Sequence, residues 1–330
     1  MARCSGNTSA AAGRPLPERG KPIVKVALYT HAACLQHDPG PGHPESPARL
    51  SAVLASLDEP RFADLDRIEA PAASREQLAR VHTTALVESV LDRAPATGRR
   101  QLDPDTAMSP GSAAAALRAA GALCAAVDAA CGTGARRAFC AVRPPGHHAT
   151  ADTAMGFCLF NNVAVGAAHA MAAPGLRRVA IVDFDVHHGN GTQDIFERDA
   201  RVMYVSTHQW PLYPGTGAET ETGAGNLLNV PLAAGTGSDA FRAACRERVL
   251  PALEAFAPEL VLVSAGFDAH AGDPLAGLRL ATDDYAWITR ELVAIADRHA
   301  QGRLVSTLEG GYDLAALAES AAAHVAALME

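Results

Sequence analysis

The segment Val179–Thr192, VAIVDFDVHHGNGT, holds the densest group of chemically capable side chains in this 330-residue chain. Read as a strand, alternate residues share a face, so Asp183, Asp185 and His187 point the same way. Carboxylates at the end of an otherwise apolar, buried strand are costly unless they are paired or bind a metal. Asp-x-His is a compact oxygen and nitrogen chelate suited to Zn2+. Taken alone, the segment also fits a salt-bridged strand end. LVLVSAGFDAHAGDP adds Asp268, in a loop directly after another apolar run. A third carboxylate at the same sheet edge makes a three-ligand site with an open position, which is the catalytic rather than the structural arrangement. Asp185, His187 and Asp268 are the expected ligands.

RPPGHHA, Arg143–Ala149, places His147 and His148 just after a further apolar run. Tandem imidazoles beside a metal point to acid–base work on a water molecule there. Each ring needs its own orienting partner, and Asp183 and Asn190 are available. In LEGGYD, Leu308–Asp313, Gly310 and Gly311 allow the backbone close to a ligand, and Tyr312 offers a phenol as a hydroxyl donor to an oxyanion.

These residues need elements that bring them to one edge. VKVALYT, RRAFCAV, RVAIVDFDV, VMYVST, LVLVSAG and RLVSTLE are apolar, β-branched runs of strand length. SPARLSAVLASL (opened by an N-cap serine), SREQLARV, ALVESVLDRA, GSAAAALRAAGALCAAVDAAC and MGFCLFNNVAVGAAHAMAA read as helices. Continuous apolar strands separated by helices predict an α/β fold, with a parallel sheet covered on both faces and the site beyond the carboxyl ends of its strands. Residues 1–22, polar and rich in Gly and Pro, read as a flexible tail without an apolar leader, and 23–330 as one domain. No run reaches the roughly 18 apolar residues of a membrane span.

The hydrophobic fraction is 48%, enough for a substantial core. The net charge of −8 argues against direct nucleic-acid binding, and aromatics at 5% argue against a base-stacking platform. The seven cysteines form no C-x-x-C pair, which suits reduced thiols and a cytoplasmic protein. Of thirteen histidines, only His147, His148 and His187 are expected at the reacting centre.

In order, HPESPARL, DPDTAMSP, RPPGHHA, GFCLFNN, DFDVHHGNGTQDIF, YVSTH, PGTG, AGFDAHAGDPL and EGGYD resemble the zinc-dependent histone deacetylase superfamily, especially its class II-like and bacterial amidohydrolase members. The likeness runs from about residue 25 to the last residues of the chain. It implies a single three-layer α/β/α domain of arginase/deacetylase type with a central eight-stranded parallel sheet. It implies Zn2+ on Asp185, His187 and Asp268, His148 as general base and then acid, His147 as its electrostatic partner, Asp183 orienting His147, and Asn190 beside His148. Tyr312 would polarise the scissile carbonyl. Phe157, with Gly156 before it, and Tyr213 would wall an acyl-lysine channel. A structural K+ would use Asp183, Asp185, His187 and Ser206.

The implied reaction is removal of an acetyl or other acyl group from an acylated amine, most simply acetyl-lysine, with acetylated polyamines or other small amides as the alternative. Leu275, seven residues after the third ligand, is expected near the channel mouth, where an aliphatic residue favours an acyl-lysine stem. Asp103 and Asp105 are expected to hold the substrate at the rim or to make an Asx-turn. HPESPARL is expected to support the site through helix capping, with His43 no metal ligand. Related ureohydrolases use two Mn2+ ions and need carboxylates where this chain has Asn190 and His270. A non-catalytic binding module would have lost a ligand, a tandem histidine or the tyrosine. The expected partners are acylated proteins or small amines, with neither nucleic acid nor membrane and with self-association open.

Overall fold

The computed structural model describes residues 1–2 and 25–330. The expected tail over 1–22 lies, beyond its first two residues, outside the described set.

Eight strands form one parallel sheet: β1 (Val26–Thr30), β2 (Asp66–Glu69), β5 (Arg137–Cys140), β6 (Val179–Asp183), β7 (Val202–Gln209), β8 (Leu227–Leu232), β9 (Leu260–Ala265) and β10 (Leu304–Leu308). Between them in sequence, β3 (Arg100–Asp103) and β4 (Thr106–Met108) make a separate antiparallel hairpin. Strand order across the sheet is β2-β1-β5-β10-β9-β6-β7-β8, and every neighbouring pair is parallel. The inner strands are buried along their whole length, because helices cover both faces.

The helices in chain order are α1 (Pro47–Ser56), α2 (Arg75–Leu78), α3 (Thr84–Leu91), α4 (Ser112–Cys131), α5 (Asn162–Ala172), α6 (Asn190–Phe196), α7 (Ser238–Ala244), α8 (Leu250–Phe256), α9 (Thr282–His299) and α10 (Leu314–Leu328). One layer has α4 against β1, β5 and β10, with α5 beside it over β6 and β9. The opposite layer has α9 and α10 against each other and the sheet, with α1 on α10. α4 is long and apolar enough to cross a membrane by length and composition, against the expectation that no run would be. Yet it carries Arg118 and Asp128 and is a core helix, packed on the sheet and against α5.

The structure corrects several local expectations. β6 ends at Asp183, so Asp185 and His187 lie in the bend that follows rather than on a continued strand face. MGFCLFNN is not helical: the helix begins only at Asn162, and Gly156 and Phe157 both have positive φ, +57° and 67°. A Cβ on Gly156 would lie 2.5 Å from the His148 ring, which excludes a larger residue there. Ser46 is the N-cap of α1, but its side chain makes no capping bond. β2 and β8 have no counterpart among the runs read as strands. Both are edges: β2, DRIE, is mostly exposed, and β8 contains Pro231, which an edge strand tolerates.

Candidate active site

The four central neighbours β5, β10, β9 and β6 deliver the site from their carboxyl ends. The segment after β5 carries His147 and His148, and that after β10 carries Glu309–Tyr312. Asp268 follows β9, while Asp183 ends β6 and Asp185 and His187 follow it. Residues scattered over about half the chain thus meet because their strands are side by side.

Asp185, His187 and Asp268 each offer a ligand atom, all within 4.8 Å of one another. His187 Nδ1 lies 3.1 Å from Asp185 Oδ1 and 3.2 Å from Asp268 Oδ2. The outer oxygens are used: Val186 N–H donates to Asp268 Oδ1, and Gly310 N–H to Asp185 Oδ2. Asp268 Oδ2 is fully buried, and the nearby imidazole does not give it a hydrogen bond of acceptable geometry. An orphaned carboxylate oxygen aimed into a cluster of donor atoms is what a cation site requires. Burial alone would lower the His187 pKa, but the hydrogen bond to Asp185 and the adjacent Asp268 carboxylate push it up to about 10. That field would equally hold a divalent cation. A Cβ on Gly310 would fall 2.1 Å from Asp268 Oδ2, so only glycine lets this backbone pass.

The tandem imidazole rings lie with centroids 4.0 Å apart, tilted 46° to each other, yet their environments differ. His147 Nδ1 donates to Asp183 Oδ2 at 2.9 Å. Burial opposes a charge on His147, but the carboxylates of Asp183 and then Asp185 outweigh it and hold its pKa well above the usual range. His148 Nδ1 donates to Asn190 Oδ1 at 2.8 Å, an uncharged partner. Burial, then the neighbouring His147 and His187, hold the His148 pKa well below the usual range. Its Nδ1 carries the proton, leaving Nε2 as the basic atom. Asp183 is fixed in turn by the Tyr204 hydroxyl, which donates to Oδ2, and by the Asp185 N–H.

A cavity of about 220 Å³ opens onto this cluster, lined by His147, His148, His187, Tyr312, Gly156 and Gly310. Its walls and mouth are Phe157, Leu212, Tyr213 and Leu275, with Asp105. Phe157 meets the Tyr312 ring edge-on at 5.9 Å, and Tyr213 meets His148 edge-on at 5.1 Å. Leu275 and Tyr213 are among the few exposed large apolar residues. Asp103 does not line the cavity, and it makes the Asx-turn expected as its alternative. Its Oδ1 accepts from Asp105 N–H in an Asx-turn, and Asp105 Oδ1 accepts from Gly156 N–H. Ser206 lies away from the cavity, in register with Asp183, and its hydroxyl pairs with His208 Nδ1.

HPESPARL supports the site by ion pairing rather than by capping. Glu45, Arg49 and Arg143 are fully buried and paired. Arg49 also donates to the carbonyls of Glu309 and Gly311 and lies over the Tyr312 ring at 4.8 Å. His43 packs edge-on against Phe157 and pairs with the Asp105 carbonyl.

Sequence reasoning passed over Glu309. Its Oε2 accepts from the N–H groups of Gly146 (2.6 Å) and His147 (3.2 Å), and Oε1 accepts from Ser264. Burial outweighs these bonds and pushes its carboxyl up to about 7. The signal was present: like Asp183, it is an acid at the end of an apolar strand.

Fold and site together give an α/β protein whose tandem imidazoles sit beside a carboxylate–imidazole cluster that could hold a cation. The comparisons with known proteins make the class definite. The histone deacetylase domain model matches residues 43–328, and the chain belongs to the histone deacetylase family, whose members are hydrolases of amide bonds. It is 42% identical to the Histone deacetylase-like amidohydrolase of Pseudomonas aeruginosa over 311 residues, 87% of this chain and 82% of that protein. It is 39% identical to a Probable deacetylase of Archaeoglobus fulgidus over 88% of this chain and 82% of the relative. The crystal structure of the HDA15 HD domain superposes with a TM-score of 0.88 and 39% identity, covering 93% of this chain and 88% of that one.

Proposed function

We propose that this chain is a zinc-dependent deacylase that removes an acetyl group from an acylated lysine side chain. The observation that carries the reading is the buried Asp268 Oδ2, which accepts no hydrogen bond, in a triad with Asp185 and His187, next to a cavity that His187 lines together with His148 and Tyr312. Held by the triad, the ion would supply Lewis acidity for a carbonyl oxygen and for the attacking water.

The chain's own groups account for the rest. His148 Nε2, neutral near pH 7 because of burial and the cationic His147 beside it, takes a proton from water in the cavity and returns it to the leaving amine nitrogen. His147, held cationic by Asp183, keeps positive charge beside the developing oxyanion. The Tyr312 phenol stays protonated, because burial raises its pKa well above 10, and donates to the carbonyl oxygen. Phe157, Tyr213 and Leu275 flank an aliphatic stem and exclude water.

An acetylated polyamine is the second reading. Asp105 is the one acid among the cavity-lining residues, and the mouth beside it is apolar at Leu275, which favours the lysine stem over a second ammonium. A two-metal ureohydrolase is not supported, since Asn190 is committed to His148 and Met155 and supplies no carboxylate. The proposal extends to K+ held by oxygens of Asp183 and Ser206, and to a cytoplasmic location. Rates of acetate release from an acetyl-lysine peptide, acetylputrescine and acetylspermidine test the substrate. The peptide should give the highest kcat/KM, and a preference for the polyamines would reverse that reading.

A further inference from the structure

The segment Gly310–Asp313 runs from β10 to α10 and carries Tyr312 over the cavity. Its polar backbone groups are captured one after another. Gly310 N–H donates to Asp185, and the Gly311 carbonyl accepts from Arg49. Asp313 caps α10 by accepting from Ala316 N–H. Two further donors, Tyr312 N–H and Asp313 N–H, both reach Asp273 Oδ2, at 2.7 and 3.4 Å. Asp273 Oδ1 accepts from Leu275 N–H at 2.9 Å. One nearly buried carboxylate therefore ties the backbone of Tyr312 to the loop that carries Asp268 and, two residues on, Leu275 at the cavity mouth.

We infer that Asp273 is a positioning residue for Tyr312: it fixes the height of the phenol over the cavity and locks the Leu275 rim to the same anchor. The inference rests on Tyr312 acting as the carbonyl's hydrogen-bond donor. Gly311, with φ +122°, gives the segment a backbone that can turn, while among the described residues the Tyr312 ring has Arg49 and Phe157 as ring partners. A phenol must be placed to within a fraction of an ångström to favour the transition state over the bound substrate. A carboxylate fits the task because both its oxygens accept. An asparagine would leave one acceptor and turn an amide N–H2 toward a backbone N–H, severing one of the two ties.

The test is a double-mutant cycle on the Zn2+-loaded full chain with a fluorogenic acetyl-lysine peptide: parent, D273N, Y312F and D273N/Y312F. In the parent background D273N should lower kcat about tenfold with KM changed less than about twofold. In the Y312F background the same substitution should change kcat by less than about twofold, because the group it positions is gone. An equal loss in both backgrounds, or no loss in the parent, overturns the inference. Y312F as fast as the parent shows instead that the tyrosine role has failed, and the inference falls with it. If D273N does not fold, D273E, which keeps both oxygens one methylene further out, should show a smaller loss that again vanishes in Y312F.

Discussion

Two adjacent imidazoles differ in charge because one faces a carboxylate and the other an amide. Asp183 keeps a proton on His147, whereas Asn190 orients His148 without adding charge. Tyr312 likewise keeps its proton: loss of solvent at the cavity holds its phenol well above the usual range against the opposing pull of Arg49, so it remains a donor. Replacing Tyr312→Phe removes the donor and keeps the ring. Turnover should fall by roughly 10²–10³, the usual loss for one oxyanion donor. Steady-state kcat on an acetyl-lysine peptide checks this, and an unchanged value contradicts the role. These residues were legible in the sequence because the chemistry is written in short spacings: Asp185-x-His187, the His147–His148 pair, and glycines before Tyr312. Partners that meet only in three dimensions were not. Arg49 reaches carbonyls some 260 positions away, and no local pattern announces that.

Among the elements, the loops after β5 and β10 act as one unit through Glu309. Glu309→Leu would leave the N–H groups of Gly146 and His147 buried and unpaired, at about 1–3 kcal/mol for each. Glu309→Gln keeps an amide oxygen on both. In urea denaturation E309L should therefore lose clearly more stability than E309Q, and equal losses would mean that the bonds are dispensable. The packing of α9, α10 and β10 contains a second buried polar device, His324 between the hydroxyls of Thr289 and Ser306. Burial lowers its pKa from 6.5 to about 3. The unfolded chain thus takes up this proton well before the folded one, so stability is full above 6.5 and drains away as pH falls toward about 3. The Tm of His324→Gln should fall less than the parent's between about pH 7 and about pH 4, and parallel curves would contradict this. The inner strands were legible because burial on both faces writes them as continuous apolar runs. The edges were not, since DRIE in β2 carries mostly polar residues and β8 is broken by Pro231. MGFCLFNN misled because its composition suits a helix, while the backbone must turn at Gly156 and Phe157 to make room for His148.

For the whole molecule, the order of strands matters more than the distance between motifs. Placing β5, β10, β9 and β6 side by side brings four separated sequence segments together as one Asp–His–Asp cluster, a tandem imidazole pair and a phenol. The net charge of −8 is consistent with a surface that receives lysine-rich proteins or amines rather than nucleic acid. The three-layer architecture followed from the alternation of strands and helices, and the count of eight strands from the family likeness. The central claim is that one ion on Asp185, His187 and Asp268 works with His148 and Tyr312 to cleave an amide. Titrating the metal-stripped chain with Zn2+, while measuring acetate release from an acetyl-lysine peptide, tests it most directly. The account predicts no release without metal and a plateau at one Zn2+ per chain. Full release from the metal-free chain, or a plateau only at two ions, would contradict it.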